Sequence, residues 1–340
     1  MTTSQNRELD PRSSGPAPWN ALDSFFFLPS RPETLAIMRV MTGLMIAYIH
    51  WVWMLDLESF MGANALLDNE TWRTLHRGSV PDTKWTYLSA IDSMTWIRLH
   101  EGAACIFGLL MAVGLLTRFA CVLAWFLTLM TVHRMTGFLF GLDQVTLMLA
   151  MYLCLSRCGS AYSLDVQLVG RYPNWFEARR WAQWLSGIVF YQSAIASHCW
   201  SNTLSTRLIQ LHLCVIYLFG GIGKMRGETW WDGSALWYSV AAYEYQSLDM
   251  TWIGHFPLIA SIATHVTVFW EMAYCAIVWP RWLRPWALGI ACMVHGGIAL
   301  FLGMITFGMM MIVANLAFVC PESTQRIVGW IRNRVHRGES

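Results

Sequence analysis

The chain has 340 residues, 56% of them hydrophobic and 13% charged, with a mean hydropathy of +0.41 and a formal net charge of +2. A typical soluble domain is about 25% charged, so this composition specifies an integral membrane protein whose first partner is the lipid bilayer. The near-neutral balance and scattered arginines, with no basic block interleaved with stacking aromatics, exclude a nucleic-acid groove.

In chain order, residues 1–20 read as a disordered cytoplasmic tail. They are polar and rich in Pro, Ser and Gly, and no apolar run precedes Ala21, so no signal peptide is expected. Residues 21–320 read as one transmembrane domain and 321–340 as a basic cytoplasmic tail. Judged against the ~20 apolar residues a bilayer core needs, eight spans are predicted, at about 34–55, 99–117, 119–136, 142–157, 206–224, 256–279, 286–303 and 305–320. Between the fourth and fifth, Trp181, Trp184, Leu185, Ile188, Tyr191 and Ile195 recur at helical spacing, with Arg179, Arg180, Gln183 and Gln192 on the other faces. That pattern predicts an amphipathic helix lying in the interface over 174–200; a ninth span there would invert everything after it.

Charge sets the orientation. With the N-terminus inside, the predicted cytoplasmic segments hold 15 Lys and Arg and the outer segments 7, the direction of the positive-inside rule. The fold expected is therefore an all-α polytopic membrane protein of about eight transmembrane helices plus an interfacial amphipathic helix, with both termini cytoplasmic. Five of the nine cysteines, Cys105, Cys121, Cys214, Cys275 and Cys292, sit inside apolar runs and none forms a CxxC, so they read as small packing residues.

Only two residues are lysine, and Lys224 closes the glycine-notched run Tyr217-Leu-Phe-Gly-Gly-Ile-Gly-Lys224 at the outer end of span five. A lysine at such a place costs free energy unless it reaches the interface or finds a partner. It could be a base, since a buried lysine can be neutral near neutral pH, or it could snorkel among Trp230, Trp231 and Trp237. Tyr217 and Gly220 share its helical face, and Gly220, Gly221 and Gly223 leave room there for a flat ligand or a neighbouring helix. Glu228 and Asp232 follow. Either could pair with Lys224 or Arg226, and Asp232-Gly233 could instead form a turn and cap a helix near Ser234. Ionisable groups inside spans are Arg39, Glu101, His212, His265, Glu271 and His295. Glu271 needs a partner or a proton, and Arg39 and His295 are the candidates. His100, Glu101 and Asp143 would lie at the depth of Lys224, either around a cavity or as helix-end caps. No metal-ligand spacing occurs, so no metal is expected.

Three segments resemble the membrane domain shared by vitamin K-dependent gamma-carboxylase and its bacterial relatives, the horizontally transferred transmembrane family. They are Leu22-Asp-Ser-Phe-Phe-Phe-Leu-Pro-Ser-Arg-Pro with Leu35 and Arg39-Val-Met-Thr-Gly43; Ser163-Leu-Asp165; and Arg207 followed by Tyr217 to Lys224 and Trp231-x-Gly233. Met293-Val-His295 fits as well. The resemblance covers about 22–320. It implies a bacterial inner-membrane, quinone-linked lyase in which Lys224 deprotonates reduced menaquinone or a related hydroquinone at an outward-facing site. Tyr217, Gly220, Gly221, Trp230, Trp231 and His295 would bind the quinone; Arg39, His100, Glu101, Asp143, Arg207, Glu228, Asp232 and Glu271 would be polar support. The Asn-His pair expected before span four is replaced by Gly141-Leu-Asp143, and the chain ends about 20 residues after the last span, without the carboxylase's large lumenal domain. Both departures weigh against glutamate carboxylation. The alternative is a non-enzymatic membrane factor for maturation, export or immunity of a secreted peptide, which would then be its partner.

Overall fold

A computed structural model describes residues 18–63, 65–76, 85–187 and 198–338. The expected N-terminal tail up to residue 17, and Ile188, Tyr191, Gln192 and Ile195 of the amphipathic pattern, lie outside the described residues. Among the described residues the only β contact is an isolated antiparallel bridge between Ser30 and Cys199; the rest of the regular structure is helical.

The helices are α1 (Pro18–Phe27), α2 (Glu33–Leu55), α3 (Leu57–Met61), α4 (Asn69–His76), α5 (Met94–Val113), α6 (Thr117–Arg134), α7 (Gly141–Leu153), α8 (Leu164–Arg171), α9 (Pro173–Ala178), α10 (Arg180–Ser186), α11 (Trp200–Lys224), α12 (Glu228–Trp231), α13 (Ala235–Ala241), α14 (Pro257–Ile277), α15 (Arg284–Phe301), α16 (Ile305–Asn315) and α17 (Pro321–Gly338). Helices α2, α5, α11, α14 and α15 are long and apolar enough to cross a membrane. A sixth is added if α16 with its 3-10 extension and α17, bent by 120°, count as one span. These apolar helices fit an integral membrane protein. The third, fourth and eighth predicted spans correspond to shorter or more polar helices. α6 is framed by Arg118 and Arg134, α7 has 13 residues and α16 has 11. α7 touches α2, α6, α11 and α16, so its outer surface is protein, and a helix walled in by others need not match bilayer thickness.

The segment expected as one amphipathic helix starts as two, α9 and α10. Arg179 leaves helical geometry between α9 and α10, and Gly187, at φ +74, ends α10. Trp175, Trp181 and Trp184 are exposed. Residues 321–338, expected as a basic tail, form a helix with Ile327, Trp330 and Ile331 exposed on one side.

The most extensive packing is α2 on α5. In lipid, helix association comes from close van der Waals fit rather than water exclusion, and small residues permit it. Gly43 and Gly108 do so here. A Cβ at Gly43 would lie 2.5 Å from the Ala112 nitrogen, and one at Gly108 2.8 Å from that of Ala47. Arg39 then clamps the end of α5. Its Nη1 donates to the carbonyls of Met111 (2.6 Å) and Ala112 (3.2 Å), and its Nη2 to that of Tyr162 (2.7 Å). Asp165 does the converse for α6, accepting from the amides of Leu116 (2.9 Å) and Thr117 (2.8 Å) and from the Thr117 hydroxyl (2.7 Å). A cation at a helix C-terminus and an anion at a helix N-terminus both oppose the local dipole. Gly114, between them at φ +72, leaves no room for a side chain against Arg39 and Ser163.

Candidate functional site

Lys224 is the last residue of α11, and its partner is on α14. Its Nζ donates to both oxygens of Glu271, at 2.8 and 2.6 Å. The lysine side chain is 28% exposed and the carboxylate 8%. The two helices meet at Gly221, where a Cβ would lie 2.7 Å from Met272 Cγ. Glu271 stands well inside α14, not at its mouth, because the chain after Lys224 folds back along the first half of α14. The Leu236 amide donates to Thr264 Oγ1 (3.1 Å), and Gly233, at φ +83, sits against Ser261. This return places the Trp230 ring 5.5 Å from the ammonium, in cation–π range.

The pairing differs from the sequence candidates. Glu271 takes Lys224 rather than Arg39 or His295. Glu228 is exposed. Asp232 makes the turn: its Oδ1 accepts from the Ser234 amide (2.8 Å) and hydroxyl (2.5 Å), and these bonds hold its carboxyl below the usual carboxylate value. Gly220 borders the pair. A Cβ there would lie 3.5 Å from Glu271 Oε2 and 3.9 Å from Lys224 Nζ, and one at Gly223 would meet nothing within 4 Å. The glycines therefore leave an open lane along α11 to the ion pair. Phe219 and Val215 on the same helix are exposed, so the lane begins on a face suited to lipid.

Tyr217 lies beneath, 2% exposed, in a network the sequence showed only in part. Asn315 Nδ2 donates to the Met311 carbonyl (2.8 Å), which fixes the amide orientation, and also to Tyr217 Oη (2.8 Å). Tyr274 donates to Asn315 Oδ1 (2.6 Å). Tyr217 Oη, already an acceptor, is left to donate to His295 Nε2 (2.8 Å). That places the ring proton of a neutral His295 on Nδ1, which is buried and has no hydrogen-bond partner among the described residues. Asn315 and Tyr274 were missed; an amide at the end of the apolar run of α16 was the signal available.

The remaining expected residues are elsewhere. His100 and Glu101 belong to a second buried network across α2, α5 and α6. His50 Nδ1 meets Glu101 Oε2 at 2.5 Å, the Thr131 hydroxyl donates to Glu101 Oε1 (2.8 Å), and His100 Nε2 and Nδ1 contact Thr131 Oγ1 (3.0 Å) and Tyr87 Oη (2.6 Å). Asp143 caps α7, accepting from the Phe140 amide at 2.8 Å. Arg207 anchors α1, donating to the Phe25 carbonyl (3.0 Å) with its guanidinium 4.4 Å from the Phe25 ring centre. None of these four pairs with Lys224.

The crevice bounded by Trp230, Trp231, His265 and Phe269 holds about 10 Å3, less than a quinone ring needs. Among the described residues, no group of three or more His, Cys, Asp or Glu is placed to hold a metal ion. The chain matches no protein-family model, no curated protein and no solved structure.

Proposed function

We propose that this chain is a membrane-embedded, quinone-linked enzyme in a bacterial cytoplasmic membrane, with Lys224 and Glu271 as its acid–base pair on the outward-facing side. The supporting observation is the bidentate contact of Lys224 with a largely buried carboxylate at the end of a side-chain-free lane. A lysine that acts as a base must first be neutral. Moving one proton from Nζ to a Glu271 oxygen across 2.6–2.8 Å yields an amine and a carboxylic acid with no change in net charge. The amine can then accept the proton of a phenolic hydroxyl arriving along Gly220 and Gly223, while Glu271 keeps the first. When bound, reduced menaquinone or a related hydroquinone supplies that hydroxyl and the reducing electrons. The Trp230 ring, 5.5 Å from the ammonium, adds a cation–π contact on one side of it. Tyr217, Asn315 and His295 fix the helices beneath.

A second reading is a non-enzymatic membrane factor for maturation, export or immunity of a secreted peptide. It is favoured by the mutual satisfaction of Lys224 and Glu271, which by itself would lock α11 against α14. Oxygen uptake by the purified protein with reduced menaquinone separates the two readings, with wild type beside Lys224→Met and Lys224→Met/Glu271→Leu and the quinone products identified. Uptake with quinone oxidation in wild type alone supports the enzyme. No uptake above the variants, from protein shown to be folded, removes it and leaves the factor.

A further inference from the structure

An open-sided cavity of about 560 Å3, with Tyr48 and Phe140 half-exposed at its rim, lies between the C-terminal half of α2, the turn into α7, residues 244–247 and the turn joining α15 to α16. Its walls are aromatic: Tyr48, Trp53, Phe138, Phe140 and Phe307. Among the described residues its only charged groups are carboxylates, Asp143 and Glu244, and no lysine, arginine or histidine lines it. Among the described residues neither carboxylate has a basic partner within 4.0 Å. Asp143 is 8% exposed, so its charge is largely withdrawn from water.

We propose that this cavity binds an organic cation with an apolar body, an amine or quaternary ammonium compound. The volume lies within the range of roughly 300–1,000 Å3 typical of small-molecule sites. Ring faces attract a cation by their quadrupole, and a desolvated carboxylate gains most from a charge that compensates it. An anion would meet two negative groups and no donor cation. A neutral apolar molecule would leave the Asp143 charge uncompensated and would strip water from the exposed Glu244 without replacing its interactions. Asp143 Oδ2 already receives the Phe140 amide, and an asparagine could keep that cap, so the negative charge itself is available to the ligand. The assignment does not rest on the role of Lys224.

The test is equilibrium dialysis of radiolabelled benzyltrimethylammonium against the full chain in zwitterionic-lipid nanodiscs, with its uncharged carbon isostere neopentylbenzene as competitor. The expected result is saturable binding at one cation per chain, weak competition by the isostere, and loss of about tenfold or more in affinity in Asp143→Asn/Glu244→Gln. Glu244 is exposed, so Glu244→Gln alone keeps the fold and should weaken binding several-fold. Equal competition by neopentylbenzene, wild-type affinity in the variants, or no saturable binding overturns the proposal.

Discussion

Lys224 and Glu271 are each costly in an apolar helix bundle, and each removes the other's cost. Truncating one leaves the other partly buried without compensation, which is strongly destabilising, whereas replacing both with apolar groups need not be. Lys224→Met and Glu271→Leu should therefore each lower stability by about 2 kcal/mol, less than for a fully buried pair because the lysine is part-exposed. The double variant should recover most of that loss, as read by thermal unfolding of the purified protein. Oxygen uptake should not recover with it. Asn315→Leu is a sharper case, since it strips Tyr274 of its acceptor and Tyr217 of a donor, and a loss of about 1–3 kcal/mol is expected for groups left unsatisfied. Both charged residues were visible in the sequence as exceptions to an apolar pattern. Their pairing was not, because the contact spans 47 residues and depends on the register of two helices. Asn315 carried no charge and so raised no flag. Arg39 raised one, yet its three carbonyl partners are main-chain atoms, which no residue pattern can announce.

Helix crossings here depend on particular glycines. At Gly221 the backbone of α14 is already in contact, a Cβ falling 3.2 Å from the Met272 nitrogen, whereas at Gly223 there is open space. Gly221→Val should separate α11 from α14, weaken the Lys224–Glu271 contact and cost about 1–3 kcal/mol by overpacking. Gly223→Ala should be neutral or stabilising, up to about 1 kcal/mol from helix propensity. Thermal midpoints of the two variants beside wild type check the contrast. Most helices were legible from apolar length: α2 was expected at 34–55 and runs from Glu33 to Leu55. α7 and α16 are shorter than their predicted spans because neighbouring helices cover them, and hydropathy does not record what covers a helix. The break between α9 and α10 falls at Arg179, which no glycine or proline marks. For α17 the signal was present: Ile327, Trp330 and Ile331 follow helical spacing among arginines, but the charge drew the reading of a tail.

At the scale of the molecule, the chain reversals sort into two ends. One gathers the Ser30–Cys199 bridge, the Arg39 clamp and the Asn202 bond to Arg157. The other gathers residues 225–256 and the Ser247 contacts with Leu300 and Phe301. The 15-to-7 count of basic residues over the eight predicted spans leads us to propose that the first end faces the cytoplasm. In a background lacking Cys292 and Cys320, Glu228→Cys should react with a membrane-impermeant maleimide on intact cells, and Arg281→Cys only after permeabilisation. The opposite pattern would invert the molecule. The Arg39 clamp also bears on the order in which the chain is made. Arg39 leaves the ribosome 72 residues ahead of Met111 and 123 ahead of Tyr162. At about 5–20 residues per second, the nascent α2 carries a naked guanidinium for on the order of ten seconds before its last acceptor exists. Until then α2 is a poor guest for lipid, and its release from the insertion machinery is expected to wait for a backbone carbonyl that has yet to be translated.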